Sequence, residues 1–249
     1  MFGNKIKKLI CFVVSVLLLC GLWGCSKADP VPEQMKQPPD KARHVRIDVS
    51  GYGSMEFVLA GDGAEQIITD FTERAKNGFY DGKPVYMVIK DYCIMAGDAD
   101  AVSDSAAGNG QSADAGDNAE NSAKNGNNRY YPFYGALCIT DIAGNPSAEH
   151  FTVIGADTEF LNGLEELLAY RKITPAEYYA TAYGVELDEE TLKLFGQYGG
   201  APWLYGHCRV FGQMVEGFDV LKAISAVPVS DDADFKPDEE ILIKSVSVY

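Results

Sequence analysis

From residue 45 to residue 249 the chain is cut into short runs rich in Val, Ile, Tyr, Phe and Met, most of them stopped by Gly, Asp or Asn. Runs of this length and composition are strands, because β-branched and aromatic side chains suit a pleated, half-buried surface. Residues 45–49 and 55–59 flank Gly51-Tyr52-Gly53 and predict a hairpin. PVYMVIKDYCIMAGD, residues 84–98, predicts a second hairpin turning at Lys90 and Asp91. Residues 134–140, 151–154 and 241–249 supply further strands. Helical spacing shows at Ile67, Ile68, Phe71 and Ala75, with Gly78 as the stop. The spacing of these strands suits a mostly β fold, a closed antiparallel barrel capped by helices.

Two stretches interrupt the pattern. Residues 99–128 are almost entirely Ala, Asp, Ser, Gly and Asn, which offer no core, so a disordered insertion is expected there. Residues 158–198 carry Leu161, Leu164, Leu167 and Leu168 at helical spacing, then two further helical segments at 175–183 and 188–198. They predict a helical insertion in a single domain spanning 45–249.

The amino-terminal end has a different chemistry. Lys5, Lys7 and Lys8 precede an apolar stretch that closes at Leu22-Trp23-Gly24-Cys25. The stretch is short for a bilayer span, which takes roughly 20 apolar residues. The closing residues resemble a bacterial lipoprotein signal, with Trp23 in place of the usual small residue. That resemblance implies a signal peptide over 1–24 and a lipid on Cys25; an uncleaved signal anchor is the alternative. Either way the domain is expected outside the cytoplasm, bound to the bacterial cell membrane. Residues 25–44, rich in Pro, Lys, Asp and Gln, read as a flexible tether.

The net charge is −15, and losing Lys5, Lys7 and Lys8 with the leader would make it −18. An acidic surface of this kind disfavours nucleic acid and anionic lipid as partners. Beyond Cys25 the domain has Cys93, Cys138 and Cys208, an odd number without a CxxC pair. That excludes a full disulfide framework. His44, His150 and His207 lie far apart, so no metal site is expected.

Residues 199–227, GGAPWLYGHCRVFGQMVEGFDVLKAISAV, resemble the cyclophilin-type peptidyl-prolyl cis-trans isomerases. The family's Trp-Leu-Asp-Gly is matched by Trp203-Leu204-Tyr205-Gly206, its Val-Phe-Gly strand by Val210-Phe211-Gly212, and its Glu-Gly-Met-Asp turn by Glu216-Gly217-Phe218-Asp219. Phe79-Tyr80-Asp81-Gly82, Gly97-Asp98 and Gly135-Ala136-Leu137 match family pieces further upstream, in the same order. The resemblance implies an eight-stranded antiparallel barrel capped by two helices, no cofactor, no metal, a monomer, and proline-containing peptides or exported proteins as partners.

It also implies where a site would be. The family's catalytic Arg falls on Met87, its groove Gln on Met95, and its pocket Phe and Met on Tyr92 and Cys93. The substrate-bonding Gln falls on His150, the Phe at the pocket base on Thr152, and an Ala on Thr140. Trp203 and Leu204 are kept, and Cys208 replaces a groove His. Bland roles compete with these: His150 as an exposed strand residue, the cysteines as small apolar packing, Met87 and Met95 as core filling.

Rotating a peptide bond crosses a barrier of roughly 18–20 kcal/mol. A catalyst favours the twisted amide with a cation aimed at its nitrogen, an apolar slot for the ring and donors on its carbonyls. Met87 donates nothing, and loss of one such donor costs on the order of 10²–10³ in rate. Tyr92 and His150 are the candidate replacement donors. Arg209 follows Cys208, but strand alternation points it to the opposite face. Two expectations follow: an extracytoplasmic Xaa-Pro isomerase with reduced catalysis, or an inactive homologue that holds a peptide or protein.

Overall fold

The backbone ladders set the architecture. In the computed structural model, which describes residues 31–61, 63–99, 130–140, 148–230 and 234–249, one antiparallel sheet holds eight strands. These are β1 (Arg43–Val49), β2 (Gly53–Leu59), β3 (Val85–Ile89), β4 (Cys93–Gly97), β5 (Ala136–Thr140), β6 (His150–Ile154), β7 (Cys208–Glu216) and β8 (Ile243–Val248). Their spatial order is β3-β4-β6-β5-β7-β2-β1-β8. The sheet curls until its two edges meet at one end: Val85 donates to the Ile241 carbonyl at 2.8 Å, and Ile243 donates to the Lys83 carbonyl at 2.8 Å. A single bridge, Pro84 to Leu242, marks that seam.

Alternation along the strands builds the interior. Val45, Ile47 and Val49 of β1 face Met55, Phe57 and Leu59 of β2 in one buried cluster, which also takes Phe151, Val153, Leu137 and Phe211. Two helices close this core. α1 (Glu65–Lys76) buries Ile67, Phe71 and Ala75, one stripe at i, i+4 and i+8, and ends before Gly78, whose φ is +70°. Phe71 is fully buried, its ring 5.0 Å from Tyr80 and 5.1 Å from Phe211. The second, α5 (Phe218–Ser225), follows the inserted helices in the chain and buries Val220, Leu221 and Ile224 in the barrel core.

The insertion between β6 and β7 is made of three helices with legible caps. α2 (Thr158–Tyr170) starts at Asp157, whose carboxylate accepts from Phe160 N–H at 2.9 Å. α3 (Pro175–Tyr183) has a reciprocal Thr174–Glu177 capping box, Pro175 at its first position and left-handed Gly184 at its end. α4 (Glu189–Tyr198) starts at Asp188, which accepts from Thr191 N–H at 2.7 Å. The helices bury Leu161, Leu168, Tyr179 and Phe195 in small cores of their own.

The last part of the stretch read as a tether is not free. Residues Glu33–Met35 form a 3₁₀ turn, and buried Gln34 donates to the Tyr131 carbonyl at 2.8 Å and to Gln213 Oε1 at 3.0 Å. Gln34 also accepts from Tyr131 N–H at 2.6 Å. These bonds tie residues 33–36 to the sheet, and β1 already begins at Arg43. Cys25 and the leader lie outside the described residues, as does nearly all of 99–128. Among the described residues no helix is long and apolar enough to cross a membrane.

Candidate functional site

The outer face of the sheet carries the predicted site residues. Cross-strand register puts Met87 of β3 opposite Met95 of β4, Met95 opposite Thr152 of β6, and Thr152 opposite Cys138 of β5. Directly paired residues point to the same side, so these four make one row across four strands. Two residues along, on the same face, stand Cys93 and Ile154, which pair with each other. On the other side of the row is His150, opposite Gly97. The interior positions Ile94, Ala96, Phe151 and Val153 alternate with them.

Gly97 is needed where it stands. Its φ is +114°, and a Cβ there would lie 2.4 Å from the Glu149 carbonyl oxygen and 2.8 Å from His150 Cα. The close approach of β4 to β6 is what seats His150 and Thr152 beside Met95. β3 enters the row through a register shift between Val85 and Met87, which turns Val85 inward and Met87 outward. The hairpin closes at Asp91, a non-glycine residue with φ of 57°. Asp tolerates this region better than most side chains.

At one side of the row Trp203 and Leu204 stand on a 3₁₀ turn, Pro202–Leu204. They pack against a second buried cluster of Ala136, Cys138, Ile154, Ala201, Cys208 and Val210, together with Tyr92. Tyr92 meets the Trp203 ring edge-on at 5.2 Å. The inserted helices then surround the same indole: Phe160 at 6.2 Å, Tyr183 at 6.1 Å and Tyr179 at 6.4 Å. Trp203 thus belongs to both the outer-face cluster and the joint with the insertion. Nothing in the local sequence announces this collar, since its members are far apart in the chain.

The electrostatics of the face follow from its burial. The row has no Lys, Arg, Asp or Glu. Burial pushes the Cys93 thiol up to about 12. Contact with the Cys208 thiol, then burial, holds Cys138 well above the ordinary thiol value. Burial also raises the Tyr92 phenol. It lowers the His150 imidazole, against the opposing pull of Glu149. Near neutral pH the face is uncharged, with thiols protonated and imidazole neutral. Thiols in that state are inert as nucleophiles.

The expectation that His150 could be an exposed strand residue is corrected: it is 4 % exposed, and neither ring nitrogen has a hydrogen-bond partner. Thr152 is 1 % exposed, and its hydroxyl is also unpartnered. Met87 and Met95 are half-buried. Thr140 lies on β5 opposite Cys208. Arg209 points away, as alternation requires; it pairs with Ile139 and lines a cleft of about 670 Å³ with Glu65, Asp70 and Glu73 of α1. Among the described residues no group of three His, Cys, Asp or Glu is placed to hold a metal ion. No local sequence signal puts Cys138 in the row; its pairing with Thr152 is a matter of register alone.

Fold and face together define a class: an eight-stranded antiparallel barrel-like sheet with two capping helices and a Trp-Leu turn packed against its outer face. The family model described as Cyclophilin type peptidyl-prolyl cis-trans isomerase/CLD matches residues 44–248. The chain belongs to the cyclophilin-type peptidyl-prolyl cis-trans isomerase family. Its relatives include a Staphylococcus haemolyticus protein named "Putative peptidyl-prolyl cis-trans isomerase", 29 % identical over 79 % of this chain and 86 % of that one. A protein of the same name from Staphylococcus epidermidis is 26 % identical over 79 % and 87 %. A crystal structure of a cyclophilin type isomerase from Cryptosporidium parvum overlaps 84 % of this chain and 98 % of its own, with 20 % identity and a TM-score of 0.49.

Proposed function

We propose that this cyclophilin-type isomerase homologue is lipid-anchored outside the cytoplasm, where its groove engages Xaa-Pro segments of exported proteins with much reduced catalysis. The observation that carries the proposal is the row Met87–Met95–Thr152–Cys138. Family resemblance calls for a guanidinium and a carboxamide at Met87 and Met95, and the two thioethers there supply neither. The twisted amide's nitrogen therefore meets no donor from β3, and the rate is expected to fall on the order of 10²–10³ below that of a groove with its donor. Trp203 and Leu204 keep part of the apolar wall. The leader ending in Leu22-Trp23-Gly24-Cys25 supports the anchored location.

Magnetisation exchange on a short Xaa-Pro peptide tests the catalytic part. Slow exchange in the native chain and partial recovery in Met87→Arg are expected. Exchange as fast as in an ordinary cyclophilin would overturn the proposal and point to Tyr92 or His150 as the donor. The uncharged face favours a second reading, an inactive homologue that binds peptide or protein; binding without any exchange selects it. The anchored location is tested separately. Cys25→Ser should release the protein or block its processing, and a variant that fractionates with membranes at unchanged mass would refute the lipid on Cys25.

A further inference from the structure

Two buried polar side chains on the outer face of β6 lack partners. Thr152 Oγ1 and both ring nitrogens of His150 are shut off from solvent and make no hydrogen bond. A buried polar group left in this state has lost its hydration with no bond in exchange. His150 and Thr152 are two residues apart on β6, so they share a face at a spacing of roughly 6.5 Å. Thr152 also falls where the family resemblance implies an apolar pocket base. Its cross-strand neighbours are Met95 and Cys138, and Met95 in turn faces Met87. Neither Met nor a protonated thiol satisfies a hydroxyl well. Met side chains are unbranched and adaptable, so a ligand can displace them.

We infer that the outer face at Thr152 takes a residue that hydrogen-bonds, one carrying a hydroxyl or carboxamide, rather than a bare pyrrolidine ring. The reading rests on the groove being the peptide site proposed above, and it names what that site selects. An incoming hydroxyl donates to or accepts from Thr152 Oγ1, while a His150 ring nitrogen beside it takes a second polar group of the same ligand. Both orphaned groups are then answered without introducing charge into a face that has none. A site arranged to hydrogen-bond a ligand discriminates against the analogue that lacks the group, because its own polar atoms are left unpaired.

The experiment compares two blocked peptides, Ala-Ala-Pro-Ala and the same peptide with 4-hydroxyproline in place of proline. The ring is common to both, and one hydroxyl distinguishes them. Calorimetric titration uses the full chain in detergent, as the native sequence and as Thr152→Val and Thr152→Ser. Val keeps the shape of Thr and removes the hydroxyl; Ser keeps the hydroxyl. The native chain is expected to prefer the hydroxylated peptide about three- to tenfold, the worth of one net hydrogen bond. Thr152→Ser should keep that preference and Thr152→Val should lose it. Circular dichroism melting of each variant checks that it is folded. If both peptides bind the native chain equally, or proline binds better, the hydroxyl is answered by solvent and the inference is overturned while the groove stands. If the preference persists in Thr152→Val, it does not arise at Thr152 and the inference is likewise overturned. If neither peptide binds, the groove assignment fails together with the inference.

Discussion

Replacing Trp203 with Ala tests how this chain uses a residue that the family resemblance assigns to the groove. The indole joins three buried groups: the outer-face cluster with Cys138 and Ile154, the Phe133–Leu161–Phe195 core, and the Tyr179–Val185–Leu187 core. Four aromatic rings lie 5.2–6.4 Å from it, three of them from α2 and α3. Truncating a buried Trp to Ala costs about 3–5 kcal/mol, and this one is half-buried, so a loss of roughly 2–4 kcal/mol is expected. For a domain of this size each kcal/mol lowers Tm by roughly 2–4 °C, giving a fall of about 5–15 °C. Thermal and urea unfolding followed by circular dichroism measure the loss. Limited proteolysis reports whether α2–α4 come loose first, as they should if the indole pins them. Tyr170→Ala is the control, because Tyr170 is 87 % exposed. Since Trp23 is the only other tryptophan, the fluorescence of a chain lacking the leader reports the Trp203 environment directly. A Trp203→Ala protein within about 1 kcal/mol of the native chain, with the insertion equally protected, would refute the reasoning.

Two further outcomes follow from the groove. Gly97→Ala forces a side chain at φ +114° into the Glu149 carbonyl, so a loss of at least ~3 kcal/mol in urea unfolding is expected; a change under about 1 kcal/mol would show that β4 and β6 can part without cost. His150 is held neutral by burial, with its pKa below the ordinary 6.5. The unfolded chain therefore takes up its proton first as pH falls. The stability His150 allows is complete above about pH 6.5, declines below it, and levels off once the pH is under the folded value. His150→Asn should flatten that decline relative to the native chain, and identical urea midpoints across pH 5–7.5 for both would contradict it.

Signals that act over a few residues are legible in the sequence. The helix boundaries follow from Asp157, the Thr174–Glu177 box with Pro175, Asp188 and Gly184, each of which satisfies backbone groups within one turn of itself. The strands of the barrel follow from short β-branched and aromatic runs, and the hairpin at Lys90-Asp91 from its turn. The family resemblance placed Met87, Met95, Thr152 and His150 near one groove because it carries a register that one sequence does not state. Other features came only from the tertiary structure. His150 reads equally well as exposed or buried, since alternation gives its face but not what covers that face. Cys138 joins the row because of how β5 pairs with β6 and β7, a choice fixed by the packing of both faces at once. Gln34 reads as part of a polar tether, yet it bonds to Tyr131 and Gln213, 97 and 179 residues away. The collar on Trp203 is of the same kind: Tyr92, Phe160, Tyr179 and Tyr183 come from separate elements and meet only after the sheet has curled and the insertion has docked. Local hydrogen bonding and side-chain period are properties of a short segment, so the sequence determines them; contact between distant segments depends on shape complementarity across the whole core, which only the folded chain decides.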